Sequence, residues 1–328
     1  MSHTNSSVPL LKDLTTENIT ENVVAINSNC QDPRTRFLFE RLVHHLHDFA
    51  RETRLSTAEW EKAVQFLTRT GKICSDTRQE FILLSDVLGL SLLVDSIDHP
   101  KPPASTEGTV LGPFHAHGAK NVVSGDTISH DPDGEPLLVV CTVRDSQGNP
   151  LEDVEVDIWE TDSKGFYDVQ YADREGFDNR AILHSDSEGK FHFKAIVPVP
   201  YPIPGDGPVG DLLEALNRHI YRPSHMHFKF NKEGYDPLIT ALYVRGDPYE
   251  TSDAVFGVKE SLIVDLGTLS EVPGFSERYG LPGTTKLLRY DFSLVSEAEV
   301  GALRHAEAVK SAGKLDHDVK VVDGIITY

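Results

Sequence analysis

Residues 137–165 read LLVVCTVRDSQGNPLEDVEVDIWETDSKG. Two short apolar runs, LLVVCTV (137–143) and VEVDIW (154–159), are each closed by a turn signal, DSQGN (145–149) and DSKG (162–165). Runs of this length, rich in β-branched side chains and bounded by Gly, Asp, Asn and Ser, are strands. The punctuation continues downstream: HSDSEG (184–189) precedes FHFKAIV (191–197), and NKEG (231–234) separates MHFKF (226–230) from LITALYV (238–244). Short strands at regular spacing predict a mostly antiparallel β-sandwich.

Upstream the period changes. Asp32-Pro33 offers an N-cap before a proline at the first helical position, and Phe39, Leu42, Val43, Leu46, Phe49 and Ala50 recur at helical spacing. Ser56 with Glu59 forms a capping box ahead of Trp60, Ala63, Val64 and Leu67. A third segment, from about residue 79 to 97, is apolar nearly all round and therefore needs cover from other helices or a partner subunit. The proline-rich HPKPP at 99–103 ends this region. An α+β chain is predicted, with an N-terminal helical dimerisation domain over 1–100 and a β-sandwich domain over 101–328. A short helix from about 296 to 310 and a strand over 319–328 close the chain.

With 31 basic against 51 acidic side chains among 328 residues, the formal charge is −20. Residues 1–100 hold 10 basic and 14 acidic groups, which leaves about −16 on the β-rich part. Such an excess repels phosphate backbones and anionic lipid, so nucleic acid and membrane surfaces are excluded as partners. No apolar run nears the ~18 residues of a membrane span, and no basic-then-apolar leader opens the chain. Three scattered cysteines build neither a disulfide framework nor a thiolate metal site, and a reducing cytoplasm is expected.

Candidate chemistry begins at RPSHMHF (222–228). Residues two apart on a strand share a face, so His225 and His227 can reach one metal ion. His115 and His117 in GPFHAHGAK form a rival pair, and spacing alone does not choose between them. Carboxylates are the usual completing ligands, which leaves a generic site of two histidines and one carboxylate open. Tyr167, after a turn in TDSKGFYD, and Tyr201, held between prolines in VPVPYPIPGDGP, stand out from the other tyrosines.

The elements DIWETDSKGFY (157–167), PVPYPIP (198–204) and RPSHMHF (222–228) occur in this order and spacing in the intradiol ring-cleavage dioxygenases, which the chain resembles to about residue 290. The resemblance implies one non-haem Fe(III) per subunit, with Tyr167, Tyr201, His225 and His227 as ligands. EFILLSDVLGLSLLVD (80–95), TVLGPFH (109–115) and SDAVFGVKESLI (252–263) look most like the hydroxyquinol 1,2-dioxygenases. These open benzene-1,2,4-triol with both atoms of O2, giving 3-hydroxymuconate and maleylacetate. Carried over residue by residue, the substrate-binding positions are Leu83, Asp86, Val110, Leu111, Gly112, Pro113, Phe114, Ile203, Pro204, Arg222 and Val255. Asp86 is singled out as an acceptor for the third ring hydroxyl, Tyr201 as the catalytic group that takes a diol proton, and Arg222 as a fixed catalytic charge for developing anions. A homodimer through the N-terminal helices is also implied, and some relatives hold a lipid between the paired helices. The alternatives are a catechol or chlorocatechol 1,2-dioxygenase and an iron-free prealbumin-like binding module.

Overall fold

The structure is a computed structural model that describes residues 12–328 apart from 76, 77, 172, 174, 175, 316 and 317. The helices are α1 (Ile19–Asn27), α2 (Pro33–Thr53), α3 (Thr57–Ile73), α4 (Glu80–Val87), α5 (Leu90–Asp98), α6 (Pro208–Ala215), α7 (Phe275–Tyr279) and α8 (Glu297–Ala312). Helix α2 starts as its sequence demands: the Asp32 carboxylate accepts from Thr35 N at 2.7 Å, and Pro33 sits where no N–H is needed. Ahead of α3, Glu59 Oε2 accepts from Ser56 N at 2.9 Å and from Ser56 Oγ at 2.6 Å. The apolar segment over 79–97 is two helices. Gly89, at φ +73°, ends α4 and opens α5, because the left-handed backbone there suits glycine and cannot continue a helix. The first short helix, α1, had no counterpart in the sequence reading.

The strands are β1 (Pro136–Asp145), β2 (Glu155–Trp159), β3 (Arg180–His184), β4 (Lys190–Ile196), β5 (Tyr201–Pro202), β6 (Tyr221–Arg222), β7 (His225–Asn231), β8 (Leu238–Val244), β9 (Ile263–Val264), β10 (Gly267–Thr268) and β11 (Lys286–Leu294), followed by β12 (Lys320–Val322) and β13 (Ile325–Thr327). One sheet runs β10-β11-β1-β4 and the other β3-β2-β7-β8-β9. Pairing is antiparallel except for β1 with β11 and β8 with β9. The two sheets face each other over one core: Val139, Cys141, Phe191, Phe193 and Phe292 from the first meet Val156, Ile158, Phe228, Phe230 and Leu242 from the second. Each such side chain, removed from water, contributes roughly 1.5–3 kcal/mol of transfer free energy. Strand alternation then dictates what faces outward. Since Met226, Phe228 and Phe230 fill the core, His225 and His227 must lie on the opposite face of β7, beside Trp159 of β2.

Two compact units are present. Met1–Thr68 with Gly301–Tyr328 form one, and Arg69–Val300 form the other. In the first, the terminal segment is a β12–β13 hairpin rather than one strand, because Asp323 (φ +49°) and Gly324 (φ +77°) make a tight turn of the type that Asp-Gly favours. Phe37 of α2 meets the Tyr328 ring edge-on at 5.6 Å, and Arg34 donates to the Ile326 carbonyl. Both sheets and every candidate site residue lie in the second unit. Among the described residues no helix is long and apolar enough to cross a membrane.

Candidate metal centre

Four buried side chains from three chain segments meet on the outer face of the second sheet. His225 and His227 project from β7 with their Nε2 atoms 3.0 Å apart. The Tyr201 ring lies 5.5 Å from that of His225, centroid to centroid, and Tyr201 and Tyr167 hold their hydroxyl oxygens 3.4 Å from each other. All four are essentially sealed from solvent. Tyr201 is carried by β5, which among the described residues pairs with β6 alone, and the register sets Tyr201 opposite Arg222. Tyr167 follows the turn closed by Asp162, whose Oδ1 accepts from Lys164 N and Phe166 N. Its own backbone N–H donates to Gln170 Oε1 at 2.8 Å. The following Asp168 is clamped in a buried pair by Arg180, whose Nε lies 2.8 and 3.0 Å from its two oxygens. Arg180 also donates to the Phe114 carbonyl, and the Phe114 ring stacks on Tyr167 at 4.7 Å.

The protonation pattern suits a cation. Burial and the Arg222 charge push His225 down to about 3, and burial with the neighbouring His225 holds His227 well below the usual histidine range. Both imidazoles are therefore neutral. The Pro223 carbonyl, 2.7 Å from His225 Nδ1, only accepts, so the proton sits on Nδ1 and Nε2 presents its lone pair. Trp159 lies flat on His227, 4.7 Å away at an interplanar angle of 7°. Burial, then the adjacent Tyr201, raise Tyr167 well above the ordinary phenol value. Two phenols and two neutral imidazoles aimed at one place form a donor set that a hard, highly charged cation satisfies. With such a cation in place of the phenol proton, a phenolate would stand where a carboxylate usually does and would favour Fe(III) over Fe(II). The residues present fit ferric iron.

Neither carboxylate-completed alternative forms. His115 Nε2 is engaged by Asp157 Oδ2 at 2.8 Å, and among the described residues no three His, Cys, Asp or Glu side chains group as a metal site.

Around the donors, Leu83, Val110, Ile203 and Val255 are packed into one apolar cluster with Trp159, Tyr167 and Tyr201, and Phe114 lies against it. A Cβ on Gly112 would stand 3.8 Å from His227 Nε2, so this glycine lies against the His227 imidazole. Asp86 is buried on α4, where desolvation raises its carboxyl, opposed by a hydrogen bond from Ser91 and by the Arg222 charge. Leu111 is exposed and outside the cluster, while Pro113 and Pro204 are half-buried beside its members. Arg222 is fully buried. Its Nη1 lies 3.4 Å from Tyr201 Oη and 3.2 Å from His225 Nε2, while Nη2 donates to Tyr243 Oη at 3.1 Å. Nε and Nη2 pair with Asp253 at 3.1 and 3.2 Å. Tyr243, Asp253 and Trp159 escaped the sequence reading. Asp253 and Trp159 sit inside the quoted motifs, but nothing in their spacing marks them.

Comparison with known proteins bears on this geometry. The profile described as Dioxygenase matches residues 110–296, and that described as Catechol dioxygenase N terminus matches residues 32–106. The chain is 65% identical to the intradiol ring-cleavage dioxygenase hqdA of Aspergillus niger over 97% of its own length and 96% of the relative's. It is 41% identical to a hydroxyquinol 1,2-dioxygenase of Rhizobium sp., over 85% and 95% of the two chains. Among solved structures, hydroxyquinol 1,2-dioxygenase from Pseudomonas putida DLL-E4 superposes with a TM-score of 0.80 at 40% identity, covering 86% of this chain and 99% of the other.

Proposed function

The chain belongs to the intradiol ring-cleavage dioxygenases, and on that premise we propose that it cleaves hydroxyquinol with O2 between the two adjacent hydroxylated carbons, using one Fe(III) per subunit. Tyr167, Tyr201, His225 and His227 are the proposed ligands. The observation that carries this reading is the meeting of two phenol oxygens and two imidazole Nε2 atoms in one buried place, with Arg222 Nη1 touching a member of each pair. Ferric iron, when bound, acidifies a coordinated diol and draws electron density from its ring, which prepares the ring for O2.

The chain's own residues do the rest. Tyr201 Oη accepts a diol proton, and Arg222, fixed in charge and 3.4 Å away, stabilises the negative charge that passes through this point. The Pro223 carbonyl keeps the His225 lone pair aimed inward, while Trp159 fixes the plane of His227. Leu83, Val110, Phe114, Ile203 and Val255, with Gly112, Pro113 and Pro204 alongside, form the wall that excludes water from the ring, and Leu111, exposed, is the carried-over position on its solvent side. Asp86 accepts a hydrogen bond from the third hydroxyl, the group that catechol lacks.

Oxygen uptake by the iron-loaded protein tests the proposal, with hydroxyquinol, catechol and chlorinated catechols compared. Stoichiometric O2 consumption and the absorbance of the ring-opened acid are expected with hydroxyquinol, at a higher kcat/KM than with catechol. Preference for catechol would replace the substrate assignment, and a colourless protein inactive after iron addition would defeat the enzyme reading. Tyr201→Phe should retain part of the iron and lose cleavage. We further read residues 1–100 as the dimerisation domain and the cytosol, where free thiols such as Cys30, Cys74 and Cys141 persist, as the working compartment.

A further inference from the structure

Asp253 is a buried carboxylate with more hydrogen bonds than its ion pair requires. Oδ1 accepts from Arg222 Nε at 3.1 Å and Val255 N at 3.2 Å; Oδ2 accepts from Arg222 Nη2 at 3.2 Å and Gly257 N at 2.9 Å. One side chain thus folds the turn over 253–257 and holds the guanidinium. The turn closes tightly on its target. A Cβ on Gly257 would stand 2.8 Å from Arg222 Nη2 and 2.6 Å from Tyr243 Oη, closer than packed atoms tolerate. The Gly257 carbonyl in turn accepts from Thr109 Oγ1 at 2.7 Å, which ties the turn to the segment that continues into Val110. Phe256 takes a left-handed backbone (φ +62°), a cost for a bulky residue that the clamped turn must bear.

With Nε and Nη2 committed to Asp253 and Tyr243, Nη1 is the nitrogen left to face Tyr201 and His225. We propose that Asp253, with the Asp253–Gly257 turn, is a positioning device of the reaction: it aims Arg222 Nη1 at Tyr201 Oη and sets Val255 into the diol pocket in the same act. This rests on the assignment of Arg222 to the active site.

The test uses iron-loaded enzyme carrying Asp253→Asn, Gly257→Ala, Arg222→Gln, and Arg222→Gln with Asp253→Asn. A guanidinium displaced by about an ångström should lower kcat by roughly 10²-fold in both Asp253→Asn and Gly257→Ala. Iron content should be retained and the tyrosinate-to-iron absorption maximum shifted, which a merely structural lesion in correctly folded protein would not do. The double variant should be no slower than Arg222→Gln, because Asp253 acts through Arg222. Should Asp253→Asn fail to fold, Gly257→Ala and the charge-balanced double variant decide the matter. Either single variant at wild-type kcat with an unshifted band, or losses that multiply in the double variant, overturns the inference alone. Wild-type enzyme that cleaves no diol defeats the functional reading and takes the inference with it.

Discussion

Glu160 follows Trp159, whose ring lies on His227, yet its own carboxyl points the other way, with Oε1 3.4 Å from Ile196 N and Oε2 buried without a partner among the described residues. Burial holds this carboxyl well above its ordinary value of 4.5, with the nearby Asp178 charge pushing in the same direction. The folded chain therefore keeps a proton that the unfolded chain gives up near 4.5. The contribution to stability is full below that pH and is lost as pH rises from there toward the raised folded value. Glu160→Gln, neutral at every pH, should match the wild type near pH 4 and melt at a higher temperature at pH 7, as thermal scans across that range would register. Asp86 is a buried acid of a different kind: burial raises its carboxyl, while a Ser91 hydrogen bond and the Arg222 charge oppose the shift. Asp86→Asn should cut the kcat/KM preference for hydroxyquinol over catechol by roughly 10²-fold, and an unchanged ratio would remove Asp86 from specificity. The histidine pair of β7 and the proline-flanked Tyr201 could be picked out locally as candidates, but spacing did not choose between His225/His227 and His115/His117, and the proposed ligand set came from three motifs agreeing in order. Asp253 and Tyr243 were not legible, since their roles come from partners 31 and 21 positions away in the chain.

Among the elements, those whose signals are local appear as expected: the Asp32 cap, the Ser56–Glu59 box, and β7 with Met226, Phe228 and Phe230 in the core while His225 and His227 share the other face. What failed was breakage inside apolar or mixed runs. The segment over 79–97 gives no polar warning at Gly89, and a lone glycine in a helical pattern is ordinarily tolerated. The β5–β6 ladder was equally hidden, because two residues per strand give no periodicity and α6 stands between them in sequence. That ladder sets Tyr201 opposite Arg222, so the least visible element is the one that assembles the site. Gly89→Ala tests the break between α4 and α5. The new methyl would sit 3.6 Å from Phe256, an ordinary contact, so the cost is the left-handed backbone, ~1–2 kcal/mol. A lower urea midpoint with an unchanged m-value is the expected signature.

At the scale of the whole molecule, charge and apolar surface oppose each other. Helix α2 exposes Phe39, Leu42, Leu46 and Phe49, a single stripe at helical spacing, and α3 exposes Trp60, Val64 and Leu67 in the same manner. Isolated exposed hydrophobics need no explanation, but continuous stripes of large side chains do. A second copy covering them would bring two chains of charge −20 together, at a cost that favours separation. That cost falls least on this face, since residues 1–100 carry only about −4 of the total. Association should therefore be apolar in origin and opposed by long-range repulsion. Added salt, with a Debye length of ~8 Å at 0.15 M and ~3 Å at 1 M, screens the repulsion and leaves the apolar term intact. Sedimentation equilibrium should find a dimer whose dissociation constant falls as salt rises. Leu46→Glu, a charge placed in the middle of the stripe, should yield a monomer with an unaltered circular dichroism spectrum. A dimer that loosens with salt would mean an interface held by ion pairs, and one indifferent to Leu46→Glu would place the contact away from α2.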